Sequence, residues 1–600
     1  MLKTENKSFR NIISCMMLLL AMNLVTNYRT FFRFFYTGGE RYFKAAEYAA
    51  EDHFYHVGDI GEYVNVIQLT YTDRPMYVSV SYTSEDFRKF DHFNPFYYTD
   101  RTGTDTTFIF MSSPVPVKDI LINISNGSLD KVILNPRVPY HLNGRKTLAY
   151  FLTALGLIFV LKGKEKLDGS KKQLAKGAVM ITLLSAMSFN MSKGYSEPEM
   201  DALYTKYFTD ALISHRLELD YPVDAKLKAS PDPYDTSIRD YDTLWDATYY
   251  NGHYYSYFGI LPAAAVLVPY RLMTGQYLSS TCPTLLYTVL CFIAGYLLLK
   301  RICRKHLAGI PYRLFALCYL YIVFGSKLIW CIHRPLFYEL VAVSALFHVL
   351  AGLYLSLFYE NRILNFIGYF LLALAVLCRP TFLFASVLIV PKLFEKLKEK
   401  RFGIMDLIAL AVPYGVVGLF TMYLNYVRFG SVTEFGITYQ ITANSLRHAG
   451  FSFLKAAAGT FSYMFEGFHL QLLPLRAEGI KSYIPIVTDF FTETVGGGFM
   501  MTSLIGIFMP FMLRYLRKKE IRKYIYTALG LALALLMLAT GIGALVGRYM
   551  LDFNYLLYFV TAYVFLVRIN EEGGDVLTGI FVTAVSLSIV LNYLLALSYV

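Results

Sequence analysis

Residues 197–275 read EPEMDALYTKYFTDALISHRLELDYPVDAKLKASPDPYDTSIRDYDTLWDATYYNGHYYSYFGILPAAAVLVPYRLMTG. The stretch is acidic, rich in tyrosine, and flanked by apolar runs that read as membrane spans. Its carboxylates include Glu199, Asp201, Asp210, Asp232, Asp235, Asp240, Asp242 and Asp246, with only Lys206, Arg216, Lys226, Lys228 and Arg239 among them. A polar loop this long between apolar segments is uncommon unless it serves a function. Spans on either side would hold it at a membrane surface.

Composition agrees. The chain has 600 residues, 55% of them hydrophobic and 17% charged, and a mean hydropathy of +0.41. A soluble chain carries roughly a quarter charged residues. Tyr (50) and Phe (47) far outnumber Trp (2), as suits many membrane–water boundaries. The net charge of +12 comes from Lys and Arg bunched in short loops between apolar runs. That is the pattern of cytoplasmic loops, and it gives no support to a nucleic-acid partner. The seven Cys lie in or beside apolar runs. They show no disulfide framework or metal-ligand spacing, and read as small buried apolar residues.

In chain order, residues 1–27 read as a signal-anchor helix. Lys3, Lys7 and Arg10 precede an apolar run, and Tyr28, Arg29 and Phe31 follow where a small-residue cleavage site would stand. Cleavage is the alternative. Residues 28–145 change character. YVNVIQLTY from Tyr63, MYVSVSYT from Met76, DTTFIFMSS from Asp105, VKDILINIS from Val117 and DKVILNP from Asp130 alternate with period two. They predict an extracytoplasmic β-sandwich, either a spacer or a binder of sugar or a partner.

Residues 146–600 read as a polytopic α-helical membrane domain. Lys162, Lys164, Lys166, Lys171, Lys172 and Lys176 mark the cytoplasm after a span at 147–160. A span at 178–191 then opens the first large outer loop, 193–280. The apolar stretch 257–273 holds Pro262, Pro269 and Arg271, so it is expected to lie along the outer leaflet rather than cross. Further spans are expected at 282–299, 312–330, 337–358, 363–377, 382–393, 404–426, 499–511, 524–545, 550–567 and 576–597. A second outer loop runs over 428–498, with a surface helix near 452–465. The count is about 13 spans of ~15–22 residues, N-terminus inside and C-terminus outside. No internal repeat suggests a transporter.

Under this topology charged residues gather at the outer boundary. They are Asp201, Arg334 and Glu339 in HRPLFYE, Arg379 in CRPTF, Arg428 in YVRFGSVTEFGITYQ, and Arg548 with Asp552 in GRYMLDF. A single arginine at a helix end is commonly an anchor. Several on the outer side run against the positive-inside rule and suit an anionic ligand, with phosphate the natural one. A sugar leaving from a lipid phosphate needs no proton on its leaving group. One carboxylate base for the acceptor hydroxyl, with cations on the phosphate, suffices. The loop carboxylates could also hold Mg or Mn, or simply be solvated. Asp201 follows Pro198 at a helix start, which is both a candidate base and an ordinary capping position. Asp246, the lone imidazole of His253, and Tyr255 within the cluster Tyr249, Tyr250, Tyr254, Tyr255 and Tyr257 are further candidates for substrate contact; such a tyrosine cluster is also an interfacial belt.

Three features together resemble the GT-C superfamily of polytopic glycosyltransferases. They are EPEMD opening the first large outer loop, a Pro-containing juxtamembrane segment, and an inward span ending at Lys300-Arg301. That superfamily includes protein O-mannosyltransferases, aminoarabinose transferases and oligosaccharyltransferase catalytic subunits. PYDTSIRDYDTLWDATYYNGHYYSYFGILPA, YVRFGSVTEFGITYQIT and RYMLDFNYLL look like a bacterial subgroup of it. The resemblance covers Thr147 or Ala178 to the C-terminus and leaves out 28–145. It implies Asp201 as base, with Glu199 as rival, and Arg334, Arg379 or Arg548 on a lipid phosphate. A paired Asp-Glu or an Asp-x-Asp, seen in some members, is replaced here by Glu199-Met200-Asp201. The expected function is transfer of a sugar, with inversion, from a polyprenyl-phosphate donor to a cell-wall polymer, glycolipid or protein at the outer face of a bacterial plasma membrane. The alternatives are a transporter or flippase of lipid-linked sugars, and a non-catalytic glycan-binding envelope protein.

Overall fold

The computed structural model describes residues 16–21, 41–44, 54–64, 66–73, 77–84, 97–100, 105–110, 116–124, 128–136, 144–163, 165–192, 198–238, 244–307, 309–442, 450–472, 475–479, 491–492, 495–514, 516–541 and 544–597. Of the signal anchor only 16–21 fall among these, as helix. The rest of 1–27 lies outside the described residues, as do Arg239, Asp240, Asp242 and the side chain of Glu199.

Strands β1 (Arg41–Lys44), β2 (Phe54–Val57), β3 (Val66–Asp73), β4 (Tyr77–Ser84), β5 (Tyr97–Asp100), β6 (Thr106–Phe110), β7 (Val117–Ile124) and β8 (Ser128–Leu134) form two antiparallel 4-stranded sheets, ordered β1-β8-β3-β6 and β2-β7-β4-β5. Each of the five alternating sequence stretches holds one strand. Alternation puts every second side chain inward. Val57, Ile67, Leu69, Val78, Val80, Ile120, Ile122 and Val132 accordingly share one core. The short β1, β2 and β5 were not anticipated, because four residues are too few to show a period.

The remainder is helical. It comprises α1 (Gly144–Leu161), α2 (Lys171–Met191), a bent helix α3 at 198–213, α4 (Ile260–Thr274), α5 (Thr281–His306), α6 (Tyr312–Gly325), α7 (Leu328–His333), α8 (Phe337–Phe358), α9 (Arg362–Leu374), α10 (Ile404–Phe429), α11 (Phe453–Phe465), α12 (Lys519–Gly541), α13 (Asn554–Glu572) and α14 (Asp575–Leu597). Among the described residues, 6 helices (α2, α5, α8, α10, α12 and α14) are long and apolar enough to cross a membrane. The chain is a multi-pass membrane protein.

Among the described residues, several of the expected spans are not single long helices, for local reasons. The run 312–330 breaks at Lys327, whose φ is 69°. The run 382–393 begins as a 3-10 helix at Pro380–Ile389, because Pro380 pushes Arg379 out of helical backbone. The run 499–511 is divided into Phe499–Thr502, Gly506–Phe508 and Met509–Leu513. The segment expected along the outer leaflet is α4, about 22 Å long and so short of the ~30 Å hydrocarbon core. The surface helix near 452–465 is α11, capped by the Ser452 side chain.

Small residues bring helices to backbone contact, as in other membrane bundles. A Cβ on Gly352 of α8 would lie 2.7 Å from the Gly368 carbonyl of α9. A similar approach fixes the acidic loop before α4. A Cβ on Gly259 would sit 2.1 Å from the Cys378 carbonyl. The hydroxyl of Tyr204 on α3 donates to the Gly259 carbonyl and accepts from the Ala263 amide at 3.3 Å. Tyr257 is thereby carried close to Arg379.

Candidate active site

Asp246 stands in a tight turn with φ 59°. Its amide donates to the Ile441 carbonyl at 2.7 Å, and the Ile441 amide returns a bond to Ala247 at 2.8 Å. The loop of 198–259 and the loop after α10 are zipped together at this point. Gln440 then lies beside Asp246, and its Nε2 donates to Asp246 Oδ1 at 3.2 Å and to the Tyr257 hydroxyl at 2.6 Å. From the first turn of α8, the Tyr338 hydroxyl donates to Asp246 Oδ2. The Asp246 carboxylate is half-buried and held from both sides. Burial, then the charge of Asp246, pushes the Tyr257 phenol well above its ordinary range. It stays a neutral hydrogen-bonding group.

Cations close the other side. The Arg548 guanidinium lies 4.7 Å from the Tyr338 ring centre and 5.7 Å from that of Tyr549. Arg379 lies 4.6 Å from the Tyr549 ring. Arg379 Nε donates to Asp552 at 3.1 Å, and the Thr381 hydroxyl donates to the same carboxylate at 2.7 Å. Asp552 is buried, so this pairing satisfies its charge and fixes the arginine. Glu339, one residue past Tyr338, is also buried. Cys331 lies within electrostatic reach of Glu339, Arg379, Arg548 and Asp552 together. Six residues picked out from sequence (Asp246, Glu339, Arg379, Arg548, Asp552 and, through its neighbour Phe337, Asp201) therefore border one region.

Asp201 does not face it in the same way. Its carboxylate accepts from the Ser280 amide at 2.9 Å and the Ser280 hydroxyl at 2.6 Å, at the start of α5. The Phe337 amide at the start of α8 also bonds to it. Burial pushes its carboxyl pKa up, with the Ser280 bonds opposing. Arg428 is a brace. Its Nη1 donates to the Ser256 carbonyl at 2.8 Å and its Nη2 to Asn425 Oδ1 at 2.9 Å. His253 is exposed at the tip of a hairpin formed by Thr248–Tyr250 and His253–Tyr255. Tyr255 packs edge-on against Phe429 at 5.7 Å. Arg334 is half-buried where α7 gives way to α8. Among the described residues, no three His, Cys, Asp or Glu side chains come together as a metal site.

Sequence reading had not assigned roles to Tyr338, Thr381, Gln440 or Tyr549. All four lie inside stretches it had quoted, HRPLFYE, CRPTF, YVRFGSVTEFGITYQ and GRYMLDF. Their signal was adjacency to a charge at a span end.

No protein-family model matches the sequence, and no curated protein does. The solved structures to which the chain is similar include two. The crystal structure of ArnT from Cupriavidus metallidurans bound to undecaprenyl phosphate is 14% identical, with a TM-score of 0.38, covering 66% of this chain and 60% of that one. The cryo-EM structure of the arabinosyltransferase EmbB from Mycobacterium smegmatis is 11% identical, with a TM-score of 0.35, covering 92% of this chain and 53% of that one. Both are GT-C polytopic membrane glycosyltransferases, the superfamily that the sequence resembles. This chain spans less than two thirds of either. At that level of likeness neither carries a function over to it.

Proposed function

We propose that this protein is an integral membrane glycosyltransferase that moves a sugar from a polyprenyl-phosphate donor to a cell-envelope acceptor, a cell-wall polymer, glycolipid or protein, at the outer face of the plasma membrane. The observation that carries this reading is the convergence of Asp246 with Arg548 and Arg379 around Tyr257, Tyr338 and Tyr549. The convergence lies near the start of α5, whereas the basic residues Lys300, Arg301, Arg304 and Lys305 lie at its other end. A helix of this length spans a bilayer, and the positive-inside rule then puts the basic end in the cytoplasm and the site outside.

Each group has work to do. The acceptor hydroxyl attacks the anomeric carbon of the donor, and its proton passes to the Asp246 carboxylate. The bond from that carbon to the phosphate oxygen breaks, and the electron pair leaves with the polyprenyl phosphate. Arg548 and Arg379 offset the charge that develops there. Attack opposite to the leaving phosphate inverts the anomeric centre. Tyr338 and Gln440 hold the base in one orientation, and Asp552 with Thr381 holds Arg379. Asp201, whose oxygens are engaged by Ser280, ties the starts of α5 and α8 together as a positioning residue.

The test is transfer by the purified full chain in lipid, supplied with labelled polyprenyl-phosphate sugars and envelope extract. Asp246→Asn should lower the rate by about 100-fold or more while the labelled donor still binds. Asp201→Asn should keep transfer within about ten-fold, as expected when only positioning is disturbed. The opposite ranking would return the base to Asp201. Saturable donor binding without transfer by the wild type would favour a carrier.

A further inference from the structure

A second site lies toward the opposite end of the bundle. Between α5, α6, α8, α12 and α13 there is a cavity of about 180 Å³, walled by side chains such as Leu299, Leu350, Leu357, Ile525 and Phe559. Cys291 and His306 of α5 both line it, and the helix rise between them is about 22 Å. The cavity is therefore long, narrow and apolar. Lys305 and His306 also line it, and Lys305 is exposed, so that end reaches the surface.

The charge at this end is positive. Lys305 acts electrostatically on His306 and on Lys523, so the three are neighbours. Carboxylates nearby include Glu520, which acts on His306, Glu395, and Glu360, which is paired with Lys392. Glu395 is committed to Lys523 and, at 3.4 Å, to the Tyr524 hydroxyl. Lys305 is an exposed cation lining the mouth, and the exposed Lys518 also acts on His306. Apolar walls leading to a cation match one kind of molecule, an apolar chain with an anionic head. A neutral hydrocarbon would leave the cation unused, and a free anion would leave the walls uncovered.

We propose that this cavity is a lipid site that takes an acyl chain of an anionic phospholipid, whose headgroup rests at Lys305 and His306. Its mouth at Lys305 and His306 lies at the other end of α5 from the transfer site, and its test needs no transfer. The full chain in detergent is offered dioleoylphosphatidylglycerol and dioleoylphosphatidylcholine, and retained lipid is read by native mass spectrometry. The wild type should retain the glycerol lipid about five-fold better, the ratio that one lysine near an anionic lipid supports. Lys305→Ala with His306→Ala should equalise the two lipids. Gly295→Leu should lower retention of both, since a Cβ there meets only Leu350 and Tyr319 at 3.7 and 3.9 Å and a longer side chain grows into the cavity. Ala528→Leu, from the facing wall, serves if that variant fails to fold. Equal retention by the wild type, or retention indifferent to both filling substitutions, overturns the proposal. So does displacement of the glycerol lipid by inorganic phosphate alone, which would show that the chain is not held. Displacement by polyprenyl phosphate that Gly295→Leu abolishes would give the cavity to the donor chain, and would also overturn it.

Discussion

The carboxylates of Asp201 and Asp246 begin with the same chemistry and end in different surroundings. Asp201 is 5% exposed and meets two donors from Ser280. Asp246 is half-buried beside tyrosines and an arginine. Burial leaves the folded-state pKa of Asp201 above its ordinary value, so the folded protein holds that proton more tightly than the unfolded chain. Its contribution to stability is then full below about pH 3.9 and is lost as pH rises through the folded value. Asp201→Asn removes the charge and keeps an acceptor for Ser280. Its thermal stability relative to the wild type should rise between about pH 4 and pH 7. A difference that stays flat across that window would mean the carboxylate is not penalised by burial. Asp201→Ala, which strands both Ser280 donors, should be about 1–3 kcal/mol less stable than Asp201→Asn at every pH in that range. The sequence singled out both carboxylates as members of an acidic loop. It could not tell which one a serine 79 positions away would engage.

Elements were legible where a single rule governs them. Period-two alternation located β3, β4, β6, β7 and β8, and apolar length located α5, α8 and α14. Legibility failed where one residue overrides the pattern. Lys327 in left-handed backbone divides α6 from α7, and nothing in an apolar run announces such a break. Gly496, Gly497 and Gly498 were visible in the sequence, but their purpose is set by packing. A Cβ on Gly498 would lie 2.7 Å from the backbone of Met464, Phe465 and Glu466, where α11 ends. Backbone cannot swing aside as a flexible side chain can, so Gly498→Ala must push the end of α11 away from the backbone at 498. We expect a loss of about 1–3 kcal/mol, typical of overpacking, read by thermal unfolding in detergent. Gly415 in α10 has open space around it, and Gly415→Ala should be neutral or gain up to about 1 kcal/mol. Equal effects from the two would show that the Gly498 contact is not made.

At the scale of the whole molecule, the site was legible as a list of residues and not as a place. Positions 246, 257, 338, 379, 440 and 548 come from five separate parts of the chain. Their meeting depends on the zipper between Asp246 and Ile441 and on the close approach at Gly259. Neither leaves a periodic trace. The two cores, by contrast, follow from composition. The strands of 41–134 bury Val57, Ile67, Val80, Ile122 and their neighbours in one cluster, and the helices bury a large separate one, with a small satellite around Val417, that share no residue with it. The first is held by burial from water and by sheet hydrogen bonds, both of which urea weakens. The second sits in lipid or detergent, where apolar surface is not returned to water on loosening. The two should therefore respond to urea separately. In mild detergent, hydrogen exchange over 41–134 should rise in one cooperative step at a urea concentration where α5, α8 and α13 keep their protection. A single transition shared by strands and helices would mean that the sheets draw their stability from the bundle, and the two clusters would have to be treated as one cooperative unit.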